Sequence, residues 1–394
     1  MLSVILFTEK LNHSSKNKDM AAKIRCGIIT IHNIPNYGAT FQALGLFRYL
    51  VIQGYEVEFI DYSMNKPMAS NTCEHSTLKK LLSLPKKLLN YQYYLNSKTK
   101  ATAFAKFWNK HYKLSKHHYS GDNEFFDATL NYTVAISGSD QLFNLSLTNQ
   151  SEGYFLPNVK NYKISYSTSF GMSGLSGDNE EKLIRLLRSY DRLSIREDTV
   201  AEYLKSKYGI ETFVSVDPVF LLSKEDWKSY ENSLKLPERY IFCYIMSDNP
   251  NIRQVIQWIR SKESDIPTII VKTCKQKLSI TGREESGSGP AEFLTLLSNA
   301  SYVVTNSFHG CALGIIYNKK VFSLEEERFI GDQRYKAMLG KASVYNKIVP
   351  YDTDWSVFNF EDHIIDGSIV YKNLTSWIEE SKSYLNESIS LCRR

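Results

Sequence analysis

The sequence predicts an α/β protein with two largely parallel sheets. Three observations carry that reading: short β-branched apolar runs recur along the chain, stretches with apolar residues three and four apart separate most of them, and the alternation restarts after a break near 223–237. The length of 394 residues points the same way. It exceeds what one core usually holds, so two domains of roughly 150 to 200 residues are expected.

The first 22 residues stand outside this pattern. Met1-Leu-Ser-Val-Ile-Leu-Phe7 is too short to span a bilayer or to form a signal-peptide core, and a polar stretch follows it. The segment reads as a tail, or as the product of an upstream start with Met20 the true one. Residues 23–31 then read as a buried strand, 39–52 as a helix and 56–61 as a second strand, a βαβ unit whose first turn ends with Gly38 at the helix mouth. Further strands are expected at 132–137, 163–167, 192–194, 212–216, 240–245, 268–271 and 302–305, and a terminal helix over 373–391. The expected division is a tail (1–22), an N-terminal Rossmann-like domain (23–225), a C-terminal one (226–350) and a closing segment (351–394). Two such domains facing a cleft gather the carboxyl-edge loops of both around one site.

Hydrophobic residues make up 43% and charged residues 23%, a balance that excludes disorder for most of the chain, with 26 Tyr and 20 Phe as an aromatic excess. The six cysteines, at 26, 73, 243, 274, 311 and 392, form no CxxC and no zinc-like cluster. A reducing, cytoplasmic setting without a metal is expected. Residues 75–121 form a basic helical insertion with ten lysines and no acid, interleaved with Tyr91, Tyr93, Tyr94, Phe104, Phe107, Trp108, Tyr112 and Tyr119. Such a helix pair either anchors aromatics on an anionic membrane, giving peripheral contact at its inner face, or sets a solvated basic face over an aromatic core stripe. No nucleic-acid partner is expected, because no helix-turn-helix, zinc finger or RNP-like strand accompanies the charge.

Four loops, each after a predicted strand, hold the residues that can do chemistry. In 137–141, Gly138 and Ser139 permit close backbone approach beside Asp140, a carboxylate able to bind a sugar hydroxyl or take its proton; a turn with an Asx cap is the alternative. Arg196 follows a strand directly and is placed to clamp a carboxylate or phosphate, unless it pairs with Glu197 or Asp198. Asp217-Pro218 reads as a hinge or a strand-end cap. In 301–310 an apolar run stops in a small polar cluster and a helix pattern begins, putting His309 where backbone N–H groups and the helix dipole face an anion. There it binds phosphate or moves a proton, or else Asn306 or Ser307 caps the helix and His309 fills the turn. The fourth loop is Asn36-Tyr37-Gly38-Ala39. No Walker A, GxGxxG, GxSxG or HExxH sequence is present.

Taken in order, these loops resemble the polysaccharide pyruvyl transferase family. The matching features are Asn36-Tyr-Gly-Ala with Gln42, Gly138-Ser-Asp-Gln with Asn144, Ile164-Ser-Tyr-Ser-Thr-Ser-Phe-Gly171, Ser194-Ile-Arg-Glu, Val216-Asp-Pro with Trp227, and Thr305-Asn-Ser-Phe-His-Gly310, over roughly residues 24–345. The resemblance implies a fold similar to the two-domain B-type glycosyltransferases. It also implies transfer of pyruvate from phosphoenolpyruvate to a sugar of a bacterial surface-polysaccharide precursor, free or lipid-linked, as a cyclic ketal, with no cofactor and no metal beyond that donor. On the matching positions, the implied catalytic residues are His309, binding donor phosphate or relaying a proton, Arg196, holding the donor or acting in protonation, and Asp140, orienting the acceptor. Asn306, Ser307 and Gly310 are implied for the donor, and Asn36, Tyr37, Gly38, Ser139 and Gln141 for the acceptor. One position departs: relatives carry Arg-x-His where this chain has Ser307-Phe308-His309, which removes a cation from the donor's place, and Arg328 or Arg334 is expected to supply it. The alternatives are a nucleotide-sugar-dependent glycosyltransferase, which the same layout suits, and a non-catalytic partner in glycan assembly.

Overall fold

The computed structural model describes residues 24–66, 91–171, 179–274, 278–327 and 330–393. In the first half, β1 (Arg25–Ile29), β2 (Glu56–Ser63), β3 (Leu114–Ser120), β4 (Val134–Ser137) and β5 (Tyr162–Ser165) form a parallel sheet in the order β3-β2-β1-β4-β5. Covered on both faces, β1 and β4 are almost wholly buried, which is why they read as unbroken apolar runs. Beside β5, single bridges from Ile164 to Arg192 and from Thr168 to Ile195 lead to the parallel pair β6 (Ser194–Ile195) and β7 (Phe213–Val214). The second half contains β8 (Ile241–Ile245), β9 (Thr268–Lys272), β10 (Arg283–Glu284), β11 (Tyr302–Thr305), β12 (Lys320–Ser323) and β13 (Ile365–Asp366). Their order is β10-β9-β8-β11-β12-β13, parallel except for the last pair.

Helices fill the connections: α1 (Tyr37–Ile52), α2 (Tyr91–His111), α3 (Asp122–Phe126), α4 (Glu180–Leu187), α5 (Asp198–Tyr208), α6 (Lys224–Lys228), α7 (Asn251–Lys262), α8 (Pro290–Ser298), α9 (Phe308–Ile316), α10 (Gln333–Lys341) and α11 (Gly367–Ser390). The result is α/β with two Rossmann-like units, each a largely parallel sheet with helices in its connections. Among the described residues, no helix is long and apolar enough to cross a membrane.

The described part of the basic insertion, residues 91–121, is a helix followed by a strand. Residues 75–90 lie outside those described; α2 ends at His111, and Leu114–Ser120 is an edge strand of the first sheet. That strand escapes a periodicity reading because its residues are all exposed or half-buried, and its charge suits an edge that must not pair with another chain. Three aromatics of α2 and the tyrosine just after it point inward: Phe104 and Phe107 are buried, Trp108 donates Nε1–H to Thr40 Oγ1 at 3.1 Å, and Tyr112 donates to the Thr40 carbonyl at 3.0 Å. They form a core stripe. The strands β10, β12 and β13 were also missed, being two to four residues long.

One hydrophobic core runs through both halves, from Phe41 and Leu44 through Trp227 and Phe293 to Phe242, Leu313 and Leu385. Trp227 is fully buried, meets Phe41 edge-on at 5.6 Å, and donates Nε1–H to the Val219 carbonyl at 2.9 Å. The last helix returns to the first half, where Trp377 donates to the Val214 carbonyl and Ser381 accepts from the Val216 N–H. In α1, a Cβ on Gly45 would lie 2.4 Å from the Pro218 carbonyl oxygen, so only glycine lets the helix rest on that turn.

Gly45 supplies a test of packing against propensity. Alanine gains about 1 kcal/mol of helix propensity, but the overlap with a backbone carbonyl costs about 1–3 kcal/mol in displaced structure. Gly45→Ala is therefore expected to lower the urea midpoint. Gly340→Ala in α10, where an added Cβ meets nothing within 4 Å, is expected to raise it.

Candidate active site

A cavity of about 410 Å³ lies between the carboxyl edges of the two sheets. Its walls come from the loop after β1 and the start of α1, the loop after β4, the start of α9, and the segment leading into α10. Behind it lies Asp217, whose side chain is wholly buried. Its Oδ1 caps the turn Pro218–Leu221 by accepting from the Val219 N–H at 3.0 Å. Its Oδ2 lies 2.6 Å from Arg196 Nη2 and 3.2 Å from His309 Nε2. Burial alone would raise this carboxyl's pKa, but the charges of Arg196 and then His309 outweigh burial and hold it at about 2.

Arg196 does not pair with its neighbours in sequence, and it does not line the cavity. It is 3% exposed, with Nε donating to Ser139 Oγ and to the Ser167 carbonyl, both at 3.1 Å, and Nη2 donating to Ser139 Oγ at 2.5 Å. The guanidinium thereby joins the loops after β4, β5, β6 and β7. Its Nη1 is buried without a hydrogen-bond partner among the described residues.

His309 sits in the first turn of α9, whose cap is Ser307, with Oγ accepting from the Gly310 N–H at 3.4 Å. Its ring is wedged between Asp217 and Gly38, where an added Cβ would come within 2.3 Å of Nδ1. Position 38 is glycine because the imidazole occupies the space a side chain would need. An ionised Asp217 favours the proton on Nε2, leaving Nδ1 as the ring's acceptor on the edge shared with Gly38. Both residues line the cavity.

Arg334 lines the same cavity beside Ser307 and is held by Asp332, which accepts from Nε at 3.1 Å and from Nη2 at 2.6 Å. The guanidinium carbons of Arg334 and Arg196 lie 5.6 and 5.7 Å from the centre of the Phe308 ring. Arg328 lies outside the described residues. Asp140 lines the cavity in a left-handed conformation (φ 80°), with Oδ1 accepting from the Gln141 N–H at 2.9 Å. Gln141, Asn36 and Asn306 line it as well. Asn36 caps α1, while Asn306 joins β8 to β11 by accepting from the Met246 N–H and donating to the Ser247 carbonyl.

Three expected residues are set elsewhere. Ser139 is buried beneath Arg196, and Gly310 is inside α9, where a Cβ would strike Thr305 Oγ1 at 2.5 Å. Tyr37 turns away from the cavity, stacks on Phe293 at 4.3 Å and donates to the Ser288 carbonyl at 2.6 Å, so it clamps the two halves together. Asp217 is the site residue that sequence reasoning missed: the strand-end cap it suggested is real but uses one oxygen, and the partners of the other are remote in sequence. Glu197 is a second buried carboxyl, its pKa raised chiefly by burial, with Ser169 Oγ donating to Oε1. Among the described residues, no group of three or more His, Cys, Asp or Glu side chains is placed to hold a metal.

The Asp217 carboxyl makes stability depend on pH. Its folded pKa of about 2 lies below the usual 3.9, so its contribution of roughly 2 kcal/mol is fully present above pH 5 and is lost as pH falls toward 2. Asp217→Asn is expected to unfold more easily than the parent at pH 7, by urea titration, with the gap narrowing by pH 3. A Gly38→Ala substitution is expected to leave global unfolding within about 1–3 kcal/mol of the parent while displacing the imidazole. The shift of the His309 ring resonances in an NMR titration reports that displacement.

A family model described as polysaccharide pyruvyl transferase matches residues 36–328. No curated protein sequence matches the chain significantly. Among solved structures, the chain is similar to the glycosyltransferase SnogD from Streptomyces nogalater, at 10% identity over 94% of this chain and 98% of that one, with a TM-score of 0.41. It is also similar to the UDP-GlcNAc 2-epimerase from Methanocaldococcus jannaschii, at 11% identity over 91% and 92%, with a TM-score of 0.44. The matched span runs from the cap of α1 past the start of α9 and so takes in both Asp217 and His309; the chain belongs to the polysaccharide pyruvyl transferase family of enzymes.

Proposed function

We propose that the protein transfers the pyruvyl group of phosphoenolpyruvate to two hydroxyls of one sugar in a surface-polysaccharide precursor, closing a cyclic ketal. The observation that carries this reading is the buried chain from Arg196 through Asp217 to His309, which ends at the mouth of α9 inside the cavity, with Arg334 beside it. Protonating C3 of the enol makes a methyl group and develops positive charge at C2. One sugar hydroxyl adds there, and the second displaces phosphate. Of the two hydroxyl protons, one balances the proton on C3 and the other leaves with phosphate.

The residues divide that work by position. His309, entering as the imidazolium, gives a proton from Nδ1 to become the neutral ring with its remaining proton on Nε2, and recovers one from a hydroxyl; the Asp217 carboxylate beside Nε2 stabilises the imidazolium before the first transfer and after the second. Arg334 and the N-terminal end of α9 offer positive charge to the donor's carboxylate and phosphate. Asp140 receives an acceptor hydroxyl. Arg196, a poor acid at neutral pH, acts through Asp217 and is a positioning residue.

Calorimetric titration of the purified chain tests the donor. Phosphoenolpyruvate is expected to bind, and Arg334→Ala or His309→Ala to weaken it about ten- to a hundredfold, the scale of one hydrogen bond to a charged group. Binding of UDP- or GDP-sugars without phosphoenolpyruvate would replace pyruvyl transfer with glycosyl transfer. Binding of neither would favour a non-catalytic role in glycan assembly.

A further inference from the structure

We propose that the outward face of α2, together with neighbouring cations of α1 and α6, docks electrostatically on an anionic lipid bilayer. Lys98, Lys106 and Lys110 are exposed on one side of α2 and span about 18 Å at 1.5 Å per residue. Lys228 is exposed on α6. Arg48, exposed in the C-terminal half of α1, lies near Tyr230, where its charge opposes the upward push of burial on that phenol. Tyr230 in turn shares a groove with Lys98, Lys106 and Lys110. Among the described residues, none of these five cations has a carboxylate at ion-pair distance.

The acids around the strip are mostly engaged inward. Glu292 accepts from Asn232 and from the Gly289 N–H, Glu231 accepts from Ser298, and Asp226 closes the capping box with Ser223. Glu225 is exposed on α6 and reduces the charge at that end. On α2, Ala101, Thr102, Ala105 and Asn109 lie exposed between the lysines, and α2 carries no acid, so a flat anionic sheet can approach closely. Phe104 and Phe107, the rings nearest these lysines, are packed inside and offer a single-stranded nucleic acid no stacking platform. The same packing keeps those two rings from inserting into lipid. Adsorption is therefore electrostatic, falling with salt over a screening length of about 10 Å at 0.1 M. This strip shares no residue with the cavity, and the inference stands apart from the donor's identity.

The test is co-sedimentation of the full chain with vesicles of phosphatidylcholine alone or with about 30% phosphatidylglycerol. Binding is expected only to the anionic vesicles, and is expected to be lost at high salt. Lys98→Glu, Lys106→Glu and Lys110→Glu together are expected to weaken it about a hundredfold. Reversing Lys160, Lys235 and Lys372, exposed elsewhere, is expected to leave it within about threefold. Circular dichroism verifies that both triple variants fold. Equal binding to neutral vesicles, or equal loss in the two triple variants, would overturn the proposal. So would binding to a single-stranded oligonucleotide without binding to vesicles, which would assign the strip to nucleic acid.

Discussion

The Asp217 carboxylate, buried between a guanidinium and an imidazole, is the interaction on which the rest of the site depends. An unpaired charge at that depth would cost several kcal/mol, so the pair must close whenever the chain folds. Closing it brings together groups that the chain holds far apart. Arg196 comes from the end of β6, Asp217 from the turn after β7, and His309 from the first turn of α9 in the other half. The continuous core, with Gly45 under the Pro218 turn and Gly38 under the imidazole, leaves these three groups little room to move.

Glu197 shows that pairing, more than depth, sets the charge state here. Both carboxyls are fully buried, yet Asp217 is shifted down and Glu197 up. Asp217 has a guanidinium nitrogen at 2.6 Å, whereas Glu197 has the Ser169 hydroxyl on one oxygen and nothing on the other. A close cation offsets desolvation and a neutral donor does not. The close cation thus keeps Asp217 an anion behind the histidine. The hydroxyl of Ser169 that reaches Glu197 also accepts from the Gly171 N–H, and the Ser169 N–H donates to the Asp140 carbonyl. The carboxyl that burial shifts upward therefore serves the loop that presents Asp140.

Ser307 and Arg334 illustrate how a cation can be supplied from a different element. The residue two before His309 is small and caps α9, and the guanidinium that reaches the cavity comes from the first turn of α10. Phe308, between the two, has both Arg196 and Arg334 near its ring. An aromatic ring there keeps two cations in place without neutralising either. Helix α2 packs Phe104 and Phe107 inside and sets Lys98, Lys106 and Lys110 outside, while Lys100 lies over the Tyr37 ring.

The sequence by itself determined the parallel α/β class, because strands buried on both faces must be continuous apolar runs, as at 25–29, 134–137 and 302–305. It also marked the loops at the carboxyl edges, since Gly38, Asp140, Arg196 and His309 each follow such a run. Exposed β3 and two-residue β10 were not legible, because edge strands carry no burial pattern. Tertiary structure alone decided which loop residues face the cavity. Tyr37 and Gly38 are adjacent, yet the tyrosine locks the halves together while the glycine makes room for His309. Arg196 looked placed to hold a ligand and is instead buried against Asp217. A one-residue step around a helix start, or a partner more than 90 residues away, turns a side chain toward substrate or away from it. Local pattern records only spacing along the chain, and those choices are made by contacts across it.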